Sequence, residues 1–179
     1  MTPTQLGRTA LLLLLAYWTF VFLWWPMRQD TVGDTWLHMV NLPIHEAGHI
    51  FFSPFGDLMM TLGGSLMQII VPIAFCIAFL TTSFNPFGAA VTAWWAGENL
   101  LDVAIYINDA RDLNLILLGG HTGAEVEGHD WEHILQSLNL LTWDHRLGWT
   151  AHILGGAIMI ASMIAGAVIT FRNTGDAEV

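Results

Sequence analysis

Hydrophobic positions run almost unbroken from Thr9 to Met27, from Leu58 to Thr82 and from Trp149 to Phe171. Two further segments, Trp36 to Phe52 and Phe87 to Ala110, are apolar except for polar residues at helical spacing. Runs of this length match the roughly 20 residues a helix needs to cross about 30 Å of hydrocarbon. Ser53-Pro54-Phe55-Gly56-Asp57 and Ser83-Phe84-Asn85-Pro86 carry turn chemistry and separate the runs, as does a polar connection from Arg28 to Asp34. Pro43 stands where it can open or kink the second helix just before His45. The pattern predicts an all-α, polytopic transmembrane helix bundle, with four spans if Trp36 to Phe52 is re-entrant and five if it crosses. Arg111 to Gly148 is polar, and within it Trp131 to Leu141 reads as a short amphipathic helix at the membrane surface. The first run ends in Trp24-Trp25-Pro26 without a small-x-small cleavage site, so it reads as a retained span. The tail after Arg172 is expected to fray. No repeat or linker divides the chain, which is expected to be one integral membrane domain over residues 1–179, with a polar loop at 111–148 between spans. The arginines split three to two in either topology, so the positive-inside rule sets no orientation.

Composition sharpens this picture. Hydrophobic residues make up 54% of the 179 positions and charged residues 11%, against about 25% charged in an ordinary soluble domain. Mean hydropathy is +0.55. The formal charge of -10, with five arginines and no lysine, excludes a basic nucleic-acid footprint. Cys76 is the single cysteine, so neither an intrachain disulfide nor a cysteine-based zinc site can be built.

The polar residues inside the apolar segments carry the chemistry. His45-Glu46-Ala47-Gly48-His49 places two imidazoles one helical turn apart on one face, with Glu46 beside them where it can touch a metal-bound water. Ionisable groups in such a segment are costly, roughly 2.5 kcal/mol or more for a charge near the bilayer centre. They favour a metal-ligating use over two satisfied core histidines. A catalytic zinc takes about three protein ligands, so a third must come from elsewhere. Glu98, Asn99, Asp102, Tyr106 and Asp109 recur at three- and four-residue intervals and form one stripe, whose alternative use is a hydrogen-bond network or proton path. Asp102 lies deep in its segment, Asp109 lies beside Arg111 at the end, and about 10 Å of rise separates them, so they are not interchangeable. Depth favours Asp102 as third ligand, with Asp109 and His129 in reserve. Glu98, Asn99 and Tyr106, with Ser65 and Gln68 of the preceding segment, are candidate contacts to the ligands or to a substrate. His129-Asp130-Trp131-Glu132-His133 spells an inverted His-x-x-Glu-His motif, but it reads better as a solvated acidic face in a cap over the site.

His-Glu-Ala-Gly-His followed by Phe55-Gly56, with a later apolar segment bearing an Asp, resembles the site-2-protease type of intramembrane zinc metalloprotease and its bacterial relatives. The family's Asn-Pro-x-x-x-x-Leu-Asp-Gly signature has its nearest counterpart in Asn99-Leu100-Leu101-Asp102, which lacks the Pro and the Gly. The resemblance implies one zinc per chain on His45, His49 and Asp102, Glu46 as general base, and cleavage of a membrane-associated protein substrate in a bacterial inner membrane. Two other classes stay open. A histidine-box di-iron oxidoreductase would draw on most of the eight histidines, and a non-catalytic membrane subunit would carry the motif as a structural or vestigial feature.

Overall fold

The computed structural model describes residues 1–27 and 35–172. The Arg28 to Asp34 connection and the tail after Arg172 lie outside the described residues. Helix α1 (Pro3–Trp24) opens on a capping box in which Thr2 and Gln5 bond each other's backbone amides. Helix α2 (Trp36–Phe52) starts at Thr35, whose hydroxyl accepts the His38 amide, and runs on through Pro43 instead of opening there. A 3₁₀ turn (Ser53–Phe55) and Gly56, at φ 94°, reverse the chain into α3 (Asp57–Thr81). Asn85 caps α4 (Pro86–Asn108) by accepting the Gly88 amide. After the polar loop come α5 (Asp130–Ser137), a 3₁₀ turn (Leu141–Trp143) and α6 (Asp144–Phe171). The described residues form no strand, only an isolated bridge between Ile116 and Thr122.

The expected all-helical class is found. Three helical segments, α1, α3 and the stretch Leu141–Phe171 that contains α6, are long and apolar enough to cross a membrane. The four to five spans read from the sequence are not reached on that criterion. At 17 residues, α2 is short for a full crossing. Helix α4 is long enough, but its apolar character is diluted by the polar stripe it carries inward. The surface helix begins one residue earlier and ends sooner than its pattern predicts.

Helix α4 is the innermost element, with Leu101, Ala104, Glu98 and Asn99 wholly buried. It packs on α6 and α3, while α2 packs on α3 and α1 on α6. Small residues let two pairs of helices approach closely. A Cβ on Gly97 would lie 2.7 Å from the Gly155 carbonyl oxygen, and one on Gly63 would lie 2.7 Å from that of Gly48, so α4 meets α6, and α2 meets α3, backbone to backbone. Phe22, Trp94, Leu101 and Met159 fill the space between α1, α4 and α6. The outer surface carries Leu13, Phe20, Phe75, Ile77, Ile164 and Val168, whereas Asn41, Gln68, Glu98, Asn99 and Asp102 are inside. An apolar exterior around a polar interior suits a hydrocarbon surround.

Candidate metal centre

Residues four apart on α2 stack their side chains along one face, and the rings of His45 and His49 sit 4.9 Å apart, edge to face. Each ring is fixed at Nδ1. His49 Nδ1 lies 2.9 Å from the Met60 carbonyl oxygen, which can only accept, so Nδ1 carries the hydrogen. His45 Nδ1 lies 2.9 Å from Gln68 Oε1, and Gln68 Nε2 donates to Asp102 Oδ2 at 2.7 Å. Because the Asp102 carboxylate accepts, it selects the amide orientation that turns the Gln68 oxygen toward His45. The His45 hydrogen is therefore also on Nδ1.

In the neutral rings both Nε2 atoms are then lone-pair donors, and both face the same oxygen. Asp130 Oδ2 lies 3.1 Å from His45 Nε2 and 3.3 Å from His49 Nε2. Three acceptors this close repel unless positive charge, protons or a bound cation, sits among them. The three ligand atoms lie within 4.8 Å of one another and could hold a metal ion. Ligands on a tetrahedral zinc, at about 2.0–2.2 Å, are themselves about 3.3–3.6 Å apart, close to the two separations seen. Two imidazoles and a carboxylate are a donor set that suits such an ion. Burial alone would raise the Asp130 carboxyl, but where the facing Nε2 atoms carry protons their bonds from His45 and His49 outweigh that and hold it below the usual carboxylate range. Gly64 of α3 makes room for the pair: a Cβ there would lie 2.7 Å from His49 Nε2 and closer still to His45 Nε2.

The carboxylate that meets both histidines is thus Asp130, where the sequence favoured Asp102. Asp102 stands one residue behind, receiving Gln68 on one side and His38 Nδ1, at 3.0 Å, on the other. Asp109 accepts the amides of Asn114 and Leu115, at 3.0 and 2.9 Å, and so folds the loop back at the end of α4. His129 is buried and is the N-cap of α5, its Nδ1 accepting the Glu132 amide at 3.1 Å. Its Nε2 faces Asp109 Oδ2 at 3.3 Å without the alignment of a hydrogen bond. His129 thus caps the helix that begins with Asp130, and Asp109 shapes the start of the loop that leads to it. The Asp130 amide donates to the Tyr106 hydroxyl at 2.9 Å, and the Tyr106 ring lies against His129 and His45.

The remaining candidates divide. Ser65 accepts the Trp131 indole N–H at 3.1 Å and so docks α5 on α3, away from the substrate role expected of it. Glu98 receives both of its closer contacts from Asn41, at 3.0 and 3.3 Å, and so belongs to the α2–α4 packing, whereas Asn99 donates to the Trp95 carbonyl of its own helix. Glu46 lines a cleft of about 820 Å³ together with His45, His49, Asp102, Tyr106 and Asp130, and no described residue bonds it. Leu115 to Gly119 and Val126 to Gly128 form part of the same wall, so the polar loop does cover the site. It also supplies Asp130, which the inverted-motif reading of residues 129–133 passed over. The cue was an acid in the first turn of a short amphipathic helix.

The other histidines do not converge. His121 pairs loosely with Glu125 and His145 with Asp144, His133 is exposed, and His152 is buried on α6 beside Trp149. No protein-family model matches the chain, and no curated protein or solved structure matches it.

Proposed function

We propose that this chain is a membrane-embedded zinc peptidase, with one ion held by His45, His49 and Asp130 and with Glu46 as general base. The observation that carries the reading is the convergence of the Nε2 atoms of two imidazoles on one carboxylate oxygen, in a cleft where Glu46 has no partner among the described residues. When bound, the ion supplies Lewis-acid polarisation of a scissile carbonyl and of water. Glu46 takes a proton from the attacking water and passes it to the leaving amine nitrogen. Met39, Leu42, Ile105 and Leu115 line the cleft and would receive apolar side chains flanking the bond while excluding other water. The exposed apolar exterior and the apolar cleft favour a membrane-associated protein or peptide substrate. The scatter of the remaining histidines weighs against two irons, and the position of Glu46 in the cleft weighs against a purely structural metal.

Metal analysis of the purified protein, with cleavage of a membrane-inserted reporter peptide, tests the reading. The parent is expected to hold one zinc per chain. Glu46→Gln should keep the zinc and lose cleavage by about 10²–10⁴-fold, the usual worth of a general base. Asp130→Ala should lose most of the metal. A parent that binds two irons or no metal, or a Glu46→Gln variant that cleaves at the parent rate, sinks the assignment.

A further inference from the structure

Asp102 touches neither Nε2 atom of the histidine pair, yet it is held between two donors and is only 9% exposed. Gln68 is buried as well, and its amide has two ends of nearly equal shape, either of which could face His45. Only one end leaves His45 able to bind a metal through Nε2. With its oxygen toward the ring, Gln68 accepts the Nδ1 hydrogen and leaves a lone pair on Nε2. With its NH₂ toward the ring, Nδ1 becomes the acceptor, the hydrogen moves to Nε2, and the lone pair facing Asp130 is gone. Gln68 cannot make this choice by itself. Asp102 makes it, because a carboxylate presents no donor and so must face the NH₂ end.

We infer that Asp102 is a positioning residue: acting through Gln68, its charge locks His45 in the tautomer that takes the metal on Nε2. The inference rests on the metal reading above. The anion also strengthens His45 as a ligand, because hydrogen bonds that run from a ligand's remote nitrogen toward a carboxylate raise its basicity. Here an amide is interposed, and the bonds run in one direction, from His45 to Gln68 to Asp102. His38 bonds the far side of Asp102, at 3.0 Å to Oδ1 and 3.1 Å to Oδ2, and keeps the carboxylate from turning away. The three residues come from α2, α3 and α4, so the relay also registers those helices against the site.

The relay predicts what happens when the anion is removed or moved. In Asp102→Asn the new NH₂ group can face Gln68, which then flips, and the flip puts the wrong tautomer on His45. Zinc affinity, measured by competition with a chelating dye, should fall by about 10–100-fold, the usual cost of losing a partner behind a ligand. Stoichiometry should stay at one, and the visible spectrum of the cobalt-substituted protein should keep the parent's coordination number. Gln68→Glu combined with Asp102→Asn moves the carboxylate one position nearer: His45 remains the donor toward position 68, while the bond between positions 68 and 102 reverses its direction. His45 then gives its hydrogen to the carboxylate at position 68, the amide at position 102 gives its NH₂ to that same carboxylate, and the oxygen of that amide accepts from His38. The double variant should recover the parent affinity or exceed it, an outcome that a merely space-filling role for Asp102 does not produce. The inference is overturned if Asp102→Asn binds zinc within twofold of the parent, if the cobalt spectrum shows a lost ligand, or if the double variant binds no better than the single one. A parent that binds no metal would instead remove the reading on which the inference stands, and the two failures are therefore distinguishable.

Discussion

Gly64 shows how a single residue sets the shape of the site. Exchanging glycine for alanine inside a helix ordinarily stabilises it by about 1 kcal/mol. At position 64 the added methyl would press on the Nε2 atoms of both His45 and His49, and overpacking of a tight site costs about 1–3 kcal/mol. The steric term falls on the two atoms that face Asp130, so Gly64→Ala is expected to lose most of its bound metal while keeping helical circular dichroism. Gly7 of α1 is the control, because a Cβ there meets nothing within 4 Å. If the two alanine variants bind metal alike, the crowding argument fails.

Helix α5 has eight residues, too few to be stable on its own, so its docking decides where Asp130 points. Leu135 is 1% exposed and packs with Val103, Ile107 and Ala110 of the α4 end, while Trp131 bonds Ser65 on α3. Leu135→Ala should cost about 2–4 kcal/mol, spent locally. Hydrogen exchange at 130–137 should quicken and metal binding weaken while α4 and α6 keep their protection. Quickened exchange throughout α4 would show that α5 is not a separate unit. The same helix explains what was legible in the sequence. His45, Glu46 and His49 could be read because their spacing and their helix are local, and the inward stripe of α4 followed from its period. Asp130 could not be placed, since nothing local says that a polar loop returns across the cleft. Depth ranked Asp102 first, and depth is right for it, but a buried carboxylate can stand behind a ligand as well as be one. The direction of the Gln68 amide depends on contacts from three helices and leaves no trace in any one segment.

For the whole molecule, polar groups inside and apolar groups outside mean that burial of hydrocarbon cannot alone hold the helices together in lipid. Close backbone approach does more of that work. At Gly155 a Cβ would lie 2.5 Å from the Gly97 carbonyl oxygen, whereas at neighbouring Gly156 it would meet only the flexible end of the Leu23 side chain at 2.8 Å. Gly155→Ala should therefore destabilise the protein by about 1–3 kcal/mol and Gly156→Ala by less, read from thermal unfolding in detergent. Equal effects would mean that the α4–α6 crossing is not a principal contact. The site itself joins distant parts of the chain, for Asp130 follows His45 by 85 residues. At about 5–20 residues per second, a ribosome needs roughly 4–17 s to cover that interval. Through all of it the growing chain holds two imidazoles without Asp130 opposite them, so the site can close only after α2, α3 and α4 have been made.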